Sequence, residues 1–251
     1  MLQTSSVSLV LIACVLALAG FIKGVIGLGL PTVSIGLLAT RMPPAHALAI
    51  VIVPAIVTNI WQTFAGPYLR DIAKRLWPLL VGVCLGIWSG AGLMTGPYAR
   101  YGGILLGVLL MVYAAIGLSK IRFHVQPRHE RWVGGVVGMM TGLVSAATGV
   151  QVIPSMPYLQ AIGMERDELV QALGVFFTTA TLALSYNLTD AGLLTRDTFT
   201  PAGVAMIAAF AGMWGGQFVR ARMAADTFRR WFLIAMLALG IYLAANTALQ
   251  L

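Results

Sequence analysis

The sequence predicts an all-α polytopic membrane protein made of two inverted repeats, and three observations lead to this fold class. Apolar residues make up 59% of the 251 residues and charged residues only 10%, against about 25% charged in a soluble domain. The apolar residues form long runs separated by short basic clusters, and the same order of motifs occurs twice. No single soluble core could bury this much apolar surface, whereas a bilayer accepts it on the outside.

Six apolar runs have the length of about 20 residues with which a helix crosses a bilayer. We predict spans at Ala47–Phe64, Leu76–Met94, Gly102–Leu118, Leu169–Tyr186, Phe199–Val219 and Trp231–Leu249. The stretches Ser6–Thr40 and Trp132–Met164 are too long for one span and short for two, and glycine and proline interrupt both. Each of these stretches predicts a pair of short or broken helices.

The two interrupted stretches occupy corresponding places in the two halves. The shared pattern is a series of spaced glycines followed by a proline: Gly20, Gly24, Gly27, Gly29 and Pro31 in the first half, and Gly138, Gly142, Gly149 and Pro154 in the second. Further on, Asn59–Phe64 aligns with Thr181–Tyr186. We therefore expect an N-terminal transmembrane repeat over 1–122, a basic cytoplasmic linker over 123–131 and a C-terminal transmembrane repeat over 132–251.

The basic residues predict the path of the chain through the membrane. If each broken pair returns to the side on which it began, most of them share one face: Arg70, Lys74, Arg75, Lys120, Arg122, Arg128, Arg131, Arg166, Arg220, Arg222, Arg229 and Arg230. Arg41, Arg100 and Arg196 lie opposite. The positive-inside rule makes the basic face cytoplasmic and places both termini outside. Each half then crosses an odd number of times, so the second repeat is inverted.

The two glycine breaks are the first candidates for a binding site. A broken helix frees backbone N–H groups and exposes the positive end of its dipole, both of which attract anions. We expect Gly24, Gly27, Gly29 and Gly149 to lie in this site, although Gly24 also fits simple helix packing. Lys23 is the one basic residue well inside an apolar run, which favours a functional role. The alternative for Lys23 is a side chain that extends to the interface.

Polar side chains around the breaks complete the candidate site. Asn59 and Gln62 are close to one turn apart on a helix and can share a face. The second half offers Thr178, Thr181 and Ser185 on the corresponding helix and Ser145, Thr148 and Gln151 on the broken stretch. The alternative is that these hydroxyl groups bond only to their own backbone.

The absence of other motifs excludes several functions. No carboxylate is predicted inside the membrane, where a proton pump or cation carrier needs one. The sequence predicts no catalytic residue, no metal site and no cofactor, and its basic clusters do not suit nucleic acid. The predicted partners are a small anionic substrate and the lipid bilayer. Small-residue helix faces leave a homodimer open as an alternative.

The segments Gly20–Pro31, Pro54–Gln62 and Thr148–Pro154 resemble the sulfite exporter TauE/SafE family of membrane permeases over nearly the whole chain. The resemblance implies transport of a small sulfur-containing anion, such as sulfite, thiosulfate or an organosulfonate, across the bacterial inner membrane. We therefore expect a secondary transporter that works by alternating access and is not an enzyme. An anion channel on the same scaffold and a carrier of small carboxylates are the alternatives.

Overall fold

The computed structural model describes residues 6–27, 29–97, 99–119, 124–220 and 225–249. These residues form ten α-helices and two 3₁₀ turns, at Ala99–Tyr101 and Pro127–His129, and contain no β-strand. The helices are α1 (Ser6–Ile26), α2 (Leu30–Leu38), α3 (Pro44–Phe64), α4 (Leu69–Ser89), α5 (Gly102–Leu118), α6 (Glu130–Thr148), α7 (Ser155–Ala161), α8 (Arg166–Asp190), α9 (Arg196–Arg220) and α10 (Ala225–Ala248). Six are long and apolar enough to cross a membrane. The prediction of an all-α polytopic protein is confirmed.

Five of the six predicted spans correspond to long apolar helices, α3, α4, α8, α9 and α10, and differ from them at their ends. The sixth long apolar helix is α1, which we predicted to be one of a pair of short or broken helices; it reaches full length because Gly20 and Gly24 stay helical. The predicted span Gly102–Leu118 is α5, a shorter apolar helix of 17 residues. Helix α5 has the predicted bounds, whereas α4 begins at Leu69 rather than Leu76 and ends at Ser89 rather than Met94. The first turns of α4 carry the charged residues that we had assigned to a loop. Such residues are helical here because their long side chains can reach the interface while their backbone stays in the helix.

The interruptions lie where glycine and proline predicted them, but only one helix of each pair is short. Helices α1 and α6 have 21 and 19 residues, whereas α2 and α7 have nine and seven. We call Gly27 and Gly29 the first break and residues 149–154 the second break. Gly27, Gly29 and Gly149 have φ angles of 81°, 106° and 76°, which favour glycine and end the preceding helix.

Two seams of small residues join the halves. Helix α1 packs along α9, and α4 packs along α6, each pair running parallel. A Cβ atom added at Gly24 would overlap the backbone of Met213, and one added at Gly142 would overlap the Val83 carbonyl oxygen. Glycine is required at these crossings because the two backbones touch.

Two further helix pairs run antiparallel. Gln62 of α3 contacts Val170 near the start of α8, and Asn59 bonds to Thr181 further along it. Helices α5 and α10 are likewise antiparallel, because Gly103 faces Thr247 and Gly117 faces Leu233. If α1–α5 correspond in order to α6–α10, then α3 corresponds to α8 and α5 to α10, so each antiparallel pair joins two corresponding helices. By the same correspondence, the α1–α9 seam is equivalent to the α4–α6 seam. The packing is compatible with an inverted repeat, which stays a prediction.

Arg75 identifies one face of the bundle by joining four helix ends. Its Nη2 atom donates to Glu130 Oε1 at 2.7 Å and to the Ile162 carbonyl at 2.8 Å, and its Nη1 atom lies 3.8 Å from Glu168 Oε1. The starts of α4, α6 and α8 and the end of α7 therefore share this face. The second broken pair returns to the side on which it began.

Following the helix directions onward gives the positions of the other ends. The end of α3, the end of α9 and the start of α10 lie on the same face as Arg75, whereas the start of α1 and the end of α10 lie opposite. This basic face, as we call it, collects the described basic residues Arg70, Lys74, Arg75, Arg128, Arg131, Arg166, Arg220, Arg229 and Arg230. Lys120, Arg122 and Arg222 lie outside the described residues.

Large apolar side chains cover the outside of the bundle. Trp214, Ile207 and Trp61 are exposed over 80%, 72% and 64% of their surface, whereas Phe176, Leu16 and Ile52 are buried in the core. A soluble protein does not expose so many large apolar residues together. The exposed set is typical of a surface that faces lipid.

Candidate functional site

Lys23 lies in the last turn of α1, just before the first break, with only 3% of its surface exposed. It is the one charged side chain among the described residues that is buried. Its ammonium group donates to Thr58 Oγ1 at 3.1 Å and to Asn59 Oδ1, both on α3. These acceptors are neutral. Within the described residues no carboxylate pairs with Lys23.

Asn59 extends the hydrogen bonds into the second half of the chain. Its Nδ2 atom donates to Thr181 Oγ1 of α8 at 3.3 Å, and Gln151 Nε2 in the second break donates to the same oxygen at 3.3 Å. We call Lys23, Thr58, Asn59, Thr181 and Gln151 the polar bridge. All five side chains are buried. The polar bridge is the structural link between the two breaks.

Gln62 lies one turn beyond Asn59 and supports the first break. Its Nε2 atom donates to the carbonyl of Gly27 at 3.0 Å and to that of Val170 at 2.7 Å. The Gly27 N–H in turn bonds to the Lys23 carbonyl at 2.7 Å. Gln62 therefore connects the end of α1, α3 and α8 around the same break that carries Lys23.

Two local features of the sequence position the α3 side chains of the polar bridge next to α8. Thr58 Oγ1 also bonds to the carbonyl of Pro54, four residues earlier, at 2.8 Å, and such a bond holds a threonine rotamer against its own helix. On α8, Gly174 lets the backbone of α3 approach closely, because an added Cβ atom would lie 2.7 Å from Thr63 N. The absence of a side chain at Gly174 brings α3 and α8 together near the polar bridge.

The two breaks lie toward opposite faces. Gly27 faces Val170, in the first turns of α8 on the basic face, whereas Gly149 faces Leu48, in the first turns of α3 on the other face. We expected glycines of both breaks to lie in one site, and it is the side chains of the polar bridge that connect the two breaks. The bridge crosses the interior between the faces.

The remaining predicted residues have other surroundings. Gly24 lies in the α1–α9 seam, and Gly29 lies next to Ile22 and Phe232. The Ser145 and Thr148 hydroxyl groups donate to the carbonyls of Thr141 and Val144 on their own helix. Thr178 bonds to Thr63 at 3.0 Å, next to the bridge. Ser185 is half-buried, and its hydroxyl group bonds to the Leu182 carbonyl of its own helix.

Three buried polar residues near the site were absent from our prediction. Thr58 completes the surroundings of Lys23, and Thr63 pairs with Thr178. Gln171 donates to the carbonyls of Thr63 and Gly66 and accepts from the Tyr68 N–H, which ties α8 to the turn after α3. A glutamine inside an apolar run was the signal for Gln171, and adjacency to Asn59 was the signal for Thr58.

Neither catalytic nor metal-binding groups define this site. Among the residues that the structure describes, no group of three His, Cys, Asp or Glu side chains could hold a metal ion. Cys14 and Cys84 are unpaired thiols. What the polar bridge offers is one cation and a set of neutral hydrogen-bonding groups.

Six long apolar helices around a buried polar bridge define a multi-pass helical membrane protein. A family model described as Sulfite exporter TauE/SafE matches residues 12–243, which is most of the chain. The protein belongs to the TauE/SafE family. A search of curated proteins found no match to the chain, and a search of solved structures found none.

Proposed function

We propose that the protein is a secondary transporter that moves a small sulfur-containing anion across the bacterial inner membrane by alternating access. The observation that carries this proposal is the buried Lys23 ammonium, held by neutral groups that connect the two breaks. A buried cation without a counter-ion is costly. An anion beside it would remove that cost, and the family description gives the class of anion.

The burial of the polar bridge favours a carrier over a channel. A channel provides a continuous water-filled path to its binding site, whereas all five side chains of the bridge are buried. An anion reaches them only if the surrounding helices move. The seams and the antiparallel pairs supply units whose relative rotation could open each face in turn.

The distribution of charge supports a cytoplasmic position for the basic face. The described basic residues other than Lys23, Arg41, Arg100 and Arg196 lie on it, which agrees with the positive-inside rule. The start of α1 and the end of α10, which lie on the opposite face, would then be periplasmic. Single cysteines at Lys74 and Thr95, in a background without Cys14 and Cys84, test this orientation with a membrane-impermeant maleimide. Labelling of Thr95→Cys alone from outside the cell is the expected result.

Flux in proteoliposomes tests the transport proposal. The panel is sulfite, thiosulfate, sulfate, small organosulfonates and small carboxylates, each measured with and without the same anion preloaded. We expect saturable flux and counterflow of a sulfur anion, absent from protein-free liposomes. Flux without saturation or counterflow would identify a channel, and saturable flux of carboxylates alone would change the substrate class. No flux of any anion by folded protein would overturn the proposal.

The homodimer stays a prediction, because the glycine faces that suggested it pack within the bundle as the α1–α9 and α4–α6 seams. The exposed groove between α3 and α9 has a volume of about 320 Å³ and is lined by apolar residues such as Trp61 and Phe210. Such a groove suits a lipid chain as well as a second copy. Mass measurement of the detergent-solubilised protein distinguishes monomer from dimer.

A further inference from the structure

The charge around Lys23 restricts the ligand that the site can hold. Lys23 brings one positive charge into the interior, and its hydrogen-bond partners Thr58 and Asn59 are neutral. A single negative charge beside the ammonium makes the pair neutral. A dianion would leave one uncompensated negative charge buried, which is unfavourable in a low-dielectric interior.

Gln62 adds a second restriction, because its amide oxygen has no partner. The side chain is 7% exposed, and Oε1 is buried without a hydrogen bond among the described residues. The other atom of the Gln62 amide group, Nε2, donates to two backbone carbonyls, those of Gly27 and Val170. The amide nitrogen must face carbonyls because they only accept, so the orientation of the amide is determined. A buried acceptor without a donor has lost its hydrogen bonds to water and gained none, which destabilises it.

Lys23 and Gln62 both lie beside the first break. Lys23 bonds to Asn59, which precedes Gln62 by one turn on α3, and Gln62 holds the carbonyl of Gly27 directly after α1. An anion bound at the first break can therefore meet a cation and an unpartnered acceptor together. Besides Gln62 Oε1, one other buried side-chain atom lacks a hydrogen-bond partner in the described part of the chain, the Oγ atom of Ser34 on α2.

We infer that the site selects a monoanion that also carries one hydrogen-bond donor, with Lys23 balancing the charge and Gln62 Oε1 accepting the donor. Hydrogensulfite is a sulfur anion with this chemistry, because it has one negative charge and one O–H group. Methanesulfinate has the same charge and shape with a methyl group in place of the hydroxyl, and sulfate is a dianion. This inference rests on the proposed function for the class of ligand.

Calorimetric titration of the purified protein with these three anions tests the selection. The titrations use one mildly acidic pH, at which sulfite is mostly hydrogensulfite and sulfate remains a dianion. We expect hydrogensulfite to bind roughly 10-fold more tightly than methanesulfinate, because only the former satisfies Gln62 Oε1. Sulfate should bind most weakly. Equal binding of hydrogensulfite and methanesulfinate would overturn the role of Gln62, and tighter binding of sulfate would overturn the role of Lys23.

The variant Lys23→Met keeps most of the length of the side chain and removes the charge. We expect hydrogensulfite affinity to fall roughly 30-fold or more, since one partner of a buried charge pair is lost. The unliganded variant should unfold at a higher temperature than the wild type, because an unpaired buried charge has been removed. A purely structural lysine would give the opposite change in unfolding temperature. Unchanged affinity in Lys23→Met would overturn the inference.

Parallel flux measurements separate this inference from the proposed function. Transport of sulfur anions with a preference for sulfate would overturn the charge assignment and leave the transporter standing. Hydrogensulfite binding with the expected selectivity but without flux would overturn transport and leave the site assignment standing. Neither binding nor flux from folded protein would overturn both.

Discussion

The two helix breaks use the same backbone device for different purposes. Each follows a long helix, contains glycine with a positive φ angle and precedes a short helix that begins near a proline. Beside the first break lie Lys23, in the last turn of α1, and Gln62, whose side-chain oxygen has no hydrogen-bond partner. Around the second break, Ser145, Thr148 and Ser155 all bond to nearby backbone carbonyls.

This difference shows that duplication of a backbone motif does not duplicate its chemistry. At the second break the side-chain hydroxyl groups have backbone partners, and Gln151 alone reaches into the polar bridge. At the first break the side chains carry a charge that the protein itself does not balance. The first break is therefore suited to binding, and the second to holding the bridge in place. Substitutions on the two sides should separate these roles.

Asn59→Leu should have the largest effect, because it removes an acceptor from the buried Lys23 ammonium. We expect a loss of about 3 kcal/mol in the free energy of unfolding. Gln151→Leu, the matched change at the second break, removes a bond between neutral groups and should cost about 1 kcal/mol. Denaturant unfolding in detergent measures both values.

A double variant checks the reason for the Asn59 effect. Lys23→Met combined with Asn59→Leu removes the charge together with its partner, so most of the lost stability should return. A double variant that is as unstable as the sum of its single variants would show that the charge is not the cause.

The glycines of the breaks should rank next. Alanine at Gly149 or Gly27 adopts a positive φ angle at a cost of about 1–2 kcal/mol. Gly149→Ala also places a Cβ atom 2.6 Å from Ile35 Cδ1, whereas in Gly27→Ala the nearest atom is 3.5 Å away on Val170. Overpacking adds a further cost of about 1 kcal/mol at Gly149 alone, because Cδ1 is the free end of the Ile35 side chain and can shift.

Thermal unfolding of these variants has a built-in control. Gly163 has a φ angle of 71° and open space around it, so Gly163→Ala reports the backbone cost without the packing cost. We expect Gly27→Ala to resemble this control and Gly149→Ala to be less stable than both. Equal unfolding temperatures of all three variants would show that packing does not distinguish the two breaks.

Thr181→Val should have a smaller effect, because it removes one hydroxyl group from the centre of the polar bridge. Hydrogen bonds between membrane helices contribute about 0.6 kcal/mol on average, so stability should change little. Flux should fall several-fold because Asn59 and Gln151 lose their common partner. Thr179→Val is the matched control, since Thr179 bonds to Val175 of its own helix. Equal flux in the two variants would show that the bridge is not needed.

Ser185→Ala should have the smallest effect. Its hydroxyl group is exposed and bonds to its own helix, so stability should change by less than about 0.5 kcal/mol. We expect flux to match that of the wild type in the proteoliposome assay. A clear loss of flux would return Ser185 to the candidate site and imply a second conformation in which α8 presents it to the interior.

Much of the fold could be predicted because membrane insertion depends on local composition. A run of apolar residues specifies a helix inside the membrane, which is why α5 was predicted at both ends, although its 17 residues make it shorter than the six long spans. The breaks were predictable because only glycine adopts the φ angles of Gly27, Gly29 and Gly149 readily. The ends of α4 and α8 were not, since charged residues stay helical wherever their side chains can reach water.

The site could be predicted only in part. Lys23 was identifiable because a charge inside an apolar run is rare. The sequence did not distinguish Gly24, which packs against α9, from Gly27, which shapes the first break, because spacing alone does not show what faces a glycine. Likewise Thr181 and Ser185 are one turn apart on α8, yet Thr181 is buried in the bridge, whereas Ser185 is half-buried and bonds only to its own helix.

By itself, the sequence determined five of the six long membrane-spanning helices, the positions of the two breaks and the presence of one intramembrane cation. These features depend on local properties: apolar length, the freedom of glycine and the cost of a charge in lipid. The tertiary structure decided which groups surround that cation, because Lys23, Asn59, Thr181 and Gln151 come from four separate segments. Their meeting depends on how glycine seams let the helices cross, and packing of this kind is a property of pairs of helices rather than of any one of them.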